Sequence, residues 1–177
     1  ENVRNGLEFR TPRAGAAAVD APAKASLLLA SFDPAGRLRW NRVIGGDAQG
    51  LNPKVHVGPD DAIYVSGSYF RGTLDVDGDG EADVPAAVID PAANDPAAMD
   101  MNGFYARLDA DGRVRWVRSV SGPRAQIIGA LTTMRGGDLV VSGGYGGDVD
   151  FDGDGKADLE WKALDPEKNL RYTQDVN

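Results

Sequence analysis

Short runs of alternating hydrophobic and polar residues dominate this chain. Phe104, Ala106 and Leu108 alternate with Tyr105 and Arg107, and after Asp109-Ala-Asp-Gly112 the pattern resumes as Val114, Trp116 and Val120 against Arg113 and Arg115. Period two marks a strand with one buried face, and two such runs around an Asp/Gly turn make a hairpin. A second hairpin is expected from Ile127–Met134 and Leu139–Tyr145, turning through Arg135-Gly136-Gly137-Asp138. Lys54–Val57 and Ala62–Tyr69 are its counterparts earlier in the chain. Residues 84–102 and 159–177, rich in Ala, Pro, Asp and Asn, read as loop or tail. No long segment carries helical periodicity. The expected fold class is therefore all-β and antiparallel.

The hairpins repeat. Phe32-Asp33-Pro-Ala-Gly36-Arg37-Leu-Arg39-Trp40-Asn-Arg42 matches Leu108-Asp109-Ala-Asp-Gly112-Arg113-Val-Arg115-Trp116-Val-Arg118 at an offset of 76 residues. Ile63-Tyr-Val65-Ser66-Gly67-Ser-Tyr69 matches Leu139-Val-Val141-Ser142-Gly143-Gly-Tyr145 at the same offset. Ile89-Asp90-Pro91 returns as Leu164-Asp165-Pro166, and Leu7-Glu8-Phe9-Arg10 echoes Leu159-Glu160-Trp161-Lys162. A fixed long period is the mark of a repeat architecture.

Two acidic loops are the most alike parts of the repeat. Asp75-Val-Asp77-Gly-Asp79-Gly80-Glu81-Ala82-Asp83 returns as Asp150-Phe-Asp152-Gly-Asp154-Gly155-Lys156-Ala157-Asp158. Both spell D-x-D-x-D-G-x-x-D. Calcium takes about 6–8 oxygen ligands at about 2.3–2.6 Å, whereas magnesium more often keeps several waters and uses one or two carboxylates. Carboxylates at loop positions 1, 3, 5 and 9 can supply a calcium shell, with a backbone carbonyl near position 7, from Glu81 or Lys156, adding another ligand. Gly80 and Gly155 permit the sharp turn that this requires. The expectation is two Ca2+ sites. Solvated Asp-Gly turns are the plain alternative, but four carboxylates within nine residues repel one another without a cation. The net charge of −8 agrees: without the eight loop aspartates, the acidic count of 27 falls to the basic count of 19.

The succession D-x-x-G-x-x-x-W, an apolar strand, hydrophobic-x-V-S-G-x-Y and an Asp-rich loop resembles bacterial secreted β-propeller repeat proteins of the SBBP type, over about residues 26–161. The loops also resemble the calcium loops of integrin-type propellers, and that likeness carries Asp75, Asp77, Asp79, Asp83, Asp150, Asp152, Asp154 and Asp158 over as ligands. An EF-hand fits less well, because its twelfth position falls on Ala86 or Trp161 and no helices flank the loops. The resemblance implies four-stranded blades arranged radially. Residues 54–118 would form a full blade with the loop 75–83 inserted between its second and third strands. Residues 26–46 would be an outer half blade and residues 126–145 an inner half blade, followed by the loop 150–158 and the stretch 159–177, all within one domain, 1–177. Two blades do not close a propeller of 4–8. The chain then reads as a piece of a longer propeller, as an open sandwich, or as a subunit whose end hairpins complete each other between copies by strand addition, giving a ring or a filament.

The remaining composition narrows the function. The chain has no cysteine, which excludes disulfides and thiolate sites. Its acidic balance and lack of a basic stripe argue against nucleic acid, and no apolar run approaches a membrane span. The single histidine, His56, stands between Val55 and Val57 without a nucleophile motif and reads as structural. Gly143-Gly-Tyr-Gly-Gly147 lacks the Lys-Ser/Thr ending of a phosphate loop. Trp40 and Trp116 are expected in the core, with Arg37, Arg39, Arg113 and Arg115 on the solvated face. With the paired loops, the repeat and the missing cysteines, the resemblance implies a non-enzymatic, calcium-stabilised structural or adhesive module, extracellular or at the cell surface, whose partners are copies of itself or neighbouring blades. A glycan- or protein-binding propeller is the alternative.

Overall fold

The computed structural model describes residues 8–11, 14–18, 27–48, 52–86 and 101–160. Among them there is no helix, and every strand pairing is antiparallel. The strands are β1 (Glu8–Thr11), β2 (Ala14–Ala18), β3 (Leu27–Phe32), β4 (Leu38–Gly46), β5 (Lys54–Val57), β6 (Ile63–Tyr69), β7 (Leu74–Asp75), β8 (Asn102–Leu108), β9 (Val114–Val120), β10 (Gln126–Thr133) and β11 (Leu139–Tyr145). They form sheets of order β1-β2, β3-β4-β7, β5-β6-β8-β9 and β10-β11.

The alternating pattern explains the layering. On β8, Phe104, Ala106 and Leu108 are fully buried and share one cluster with Val65 and Tyr69 of β6 and with Leu27, Leu29 and Ile44 of β3 and β4. Tyr105, on the opposite face of β8, packs with Val120, Ile128 and Val149. The four-stranded sheet is thus the middle layer, with β3–β4 on one face and β10–β11 on the other. Close approach is built in. A Cβ on Gly103 would lie 2.6 Å from Ile128, and Ile128 N donates to Ser68 Oγ at 3.0 Å. His56 joins the same layers, with Nε2 2.9 Å from Thr133 Oγ1 and accepting from Thr133 N at 3.2 Å.

The four-stranded meander extends to Val120, two residues beyond the expected 118, and Asn102, expected in a loop, opens β8. The first hairpin, β1–β2, is additional to the expected strands. Most of 84–102 and of 159–177 lies outside the described residues. Trp40 and Trp116 are half-buried instead of core. Trp40 Nε1 donates to Ala110 O at 2.9 Å, so the ring covers the β8–β9 turn and keeps its polar edge satisfied. Trp116 packs edge-on against Tyr105 at 5.8 Å.

Candidate metal centres

Each acidic loop follows a two-stranded hairpin, β5–β6 or β10–β11. After β6 the chain turns and β7 runs antiparallel to β4, pairing Gly45 with Asp75 and Gly46 with Leu74. After β11 the same excursion pairs Ser121 with Asp150, one residue beyond β9. Residues 45 and 121 are one repeat apart, so both loops return to the last strand of the preceding unit. Only glycine fits the crossing: a Cβ on Gly46 would collide with the Thr73 carbonyl, and one on Gly122 with the Asp148 carbonyl. Each loop is closed by a bridge, Leu74 to Val84 and Val149 to Leu159.

Inside the loops five hydrogen bonds recur in both copies, and the first loop adds one from Asp77 N to Asp83 Oδ2 at 3.1 Å. Asp75 Oδ1 accepts from Gly78 N at 2.6 Å and Asp150 Oδ1 from Gly153 N at 2.6 Å. Asp75 Oδ2 accepts from Gly80 N at 3.0 Å and Asp150 Oδ2 from Gly155 N at 2.9 Å. Asp77 and Asp152 accept from the amides of Asp79 and Asp154, both at 3.1 Å. Asp79 and Asp154 accept from the amides of Glu81 and Lys156, both at 2.8 Å. Asp83 and Asp158 accept from the amides of Val76 and Phe151, both at 2.7 Å. Gly80 and Gly155 hold φ of 94° and 84°, the left-handed turn expected of them.

This curl gathers carboxylates. Asp75, Asp77 and Asp83 bring one oxygen each within 4.8 Å of one another, and so do Asp150, Asp152 and Asp158. Either group could hold a metal ion. The donors are all hard oxygens, which suits calcium or magnesium over a thiophilic metal. Asp77 and Asp83 take their amide hydrogen bonds on a single oxygen each, Oδ1 and Oδ2 respectively. Asp79 and Asp154 stand outside the two converging groups. Glu81 and Lys156 enter the loop through their backbone amides, and the Lys156 ammonium lies 3.3 Å from Asp154 Oδ2.

Two contributors lack a local sequence signal. Arg42 of β4 donates through Nη1 to the Asp77 carbonyl and through Nε to the Gly112 carbonyl at 2.7 Å, tying β4, the loop and the β8–β9 turn together. Tyr69 donates to Pro85 O at 2.8 Å just past the loop closure, and burial pushes its phenol up to about 12, so the donor proton stays in place. Only the repeat itself points to them, by placing Tyr69 opposite Tyr145 and Arg42 opposite Arg118. The chain matches no protein-family model, no curated protein and no solved structure.

Proposed function

We propose that this chain is a calcium-stapled β-repeat module with a structural or adhesive role outside the cell, its units stacked face to face as propeller blades are. The observation that carries this is the paired loop geometry. Two loops that share five hydrogen bonds gather three carboxylates each, and each loop runs back to the last strand of the preceding unit. An ion held there fixes how one unit sits on the next. Calcium is preferred over magnesium because several carboxylates converge, where magnesium more often uses one or two and keeps its waters.

The surroundings of the reactive groups support a non-catalytic reading. His56 is engaged by Thr133 as part of the packing between layers, and the clustered aspartates accept from loop amides. A cytosol poor in free calcium would leave sites of modest affinity empty, whereas extracellular calcium would fill them. Thermal melting with and without excess chelator tests the proposal. The melting temperature should fall on chelation and recover when calcium, but not magnesium, is returned. An unchanged melt would overturn it.

A further inference from the structure

We infer that the cleft beside β11 is the docking site for strand β3 of a second copy of this chain. The inference rests on the stacked-unit reading above, but not on the identity of the ion. The internal repeat shows what is missing from the cleft. In the middle layer, β6 is completed by β8, and Val65, Tyr69, Val76 and Val84 are buried under Phe104, Ala106 and Leu108. The repeat counterparts of the first four are Val141, Tyr145, Phe151 and Leu159. Together with Tyr105 and Val120 they line an open cleft of about 370 Å³. Tyr69 and Val76 have no exposure, whereas Tyr145 is 50% exposed and Phe151 47%.

The counterparts of Phe104, Ala106 and Leu108 are Leu28, Ala30 and Phe32, on the outward face of β3. Phe104 and Leu108 are fully buried, but Leu28 is 39% exposed and Phe32 53%. Among the described residues, β3 pairs only with β4 and β11 only with β10, so each keeps one open edge. They cannot meet within one chain, because they flank opposite faces of the middle layer. The β6–β8 register, Ile63 with Leu108 and Val65 with Ala106, transfers as Leu139 with Phe32 and Val141 with Ala30. The same transfer brings the second copy's Pro34 and Gly36 carbonyls to Trp116 and Arg118, as Ala110 and Gly112 meet Trp40 and Arg42. The contact is head-to-tail, giving a ring if the rotation closes and a filament if it does not.

Sedimentation of the purified 177-residue chain over a concentration series tests this. The expected result is concentration-dependent association, weakened at least tenfold by Leu28→Lys and by Tyr145→Glu separately. Mixing these two variants should restore it, because one junction then pairs the introduced opposite charges and the other is the native one. Phe32→Lys reaches the same edge through a second exposed residue, and circular dichroism checks that each variant is folded. A monomer at every concentration, association untouched by the variants, or a mixture no better than either variant alone would each overturn the docking. Metal content measured on the same samples reports separately on calcium, so the two readings fail independently.

Discussion

Phe104 and Leu28 occupy the same position of the repeat, and truncating each to alanine should have very different costs. Phe104 has no exposed surface and meets the Tyr69 ring edge-on, with centroids 6.4 Å apart. Phe→Ala in a core costs about 3–5 kcal/mol, and the lost aromatic pair accounts for about 0.5–1.5 kcal/mol of packing. Leu28 faces outward at 39% exposure. Complete burial of a leucine is worth about 1.5–3 kcal/mol, so its partial loss in a monomer should cost about 1 kcal/mol. Against a domain stability of about 5–15 kcal/mol, Phe104→Ala removes a large share and Leu28→Ala a small one. Urea unfolding at concentrations low enough to keep the protein monomeric measures both, with equal m-values expected. Equal losses for the two variants would refute the reasoning, because Leu28 would then be buried within its own chain.

Further outcomes follow from the same geometry. The loop 75–83 carries five acidic residues and the loop 150–158 four with one lysine, so the first should bind calcium more tightly. Lys156→Glu should tighten the second at least about fivefold by calorimetric titration, since even in bulk water one unit charge at 4 Å is worth about 1 kcal/mol. Gly112 holds φ of 79° with Trp40 Cδ2 2.8 Å from where a Cβ would stand. Gly112→Ala should therefore cost about 1–3 kcal/mol in the same urea assay. The Asp33 and Asp109 carboxyls are held below their usual 3.8, chiefly by the backbone N–H groups of Arg37 and Arg113. A value lower in the folded state than in the unfolded one gives stability that is present at neutral pH and lost as pH falls below about 4. Asp33→Asn and Asp109→Asn should flatten the acid limb of melting temperature against pH, measured in chelator to remove the metal contribution.

The strands and loops were legible because their signals are local. Period-two alternation in Phe104–Leu108 and the Asp/Gly spacing of 75–83 each dictate a backbone shape within a few residues. Stacking was legible only through the repeat. The two-residue strand β7 is too short to alternate, and its pairing with β4 depends on Gly46 admitting a carbonyl where a side chain would sit, as the Ser121–Asp150 bridge depends on Gly122. Trp40 was expected in the core on hydrophobicity, but its indole N–H needs an acceptor, and the Ala110 carbonyl at 2.9 Å lies at the rim between layers. Hairpin β1–β2 was missed because Ala14-Gly-Ala-Ala-Ala18 has neither branched nor aromatic residues to signal a strand. Within the sites, the sequence indicated every aspartate that converges. It could not indicate that Asp79 and Asp154 stand apart from the three-carboxylate groups, or that Arg42 anchors the first loop, because both depend on how the backbone curls.

The central claim is that each loop holds one calcium ion, and counting ions tests it most directly. Protein equilibrated with calcium and excess magnesium, then freed of unbound metal, should carry two calcium ions per chain by elemental analysis. Asp77→Ala and Asp152→Ala should each carry one, and the double variant none. A wild-type chain with no bound calcium, or variants that retain both ions, would contradict the account.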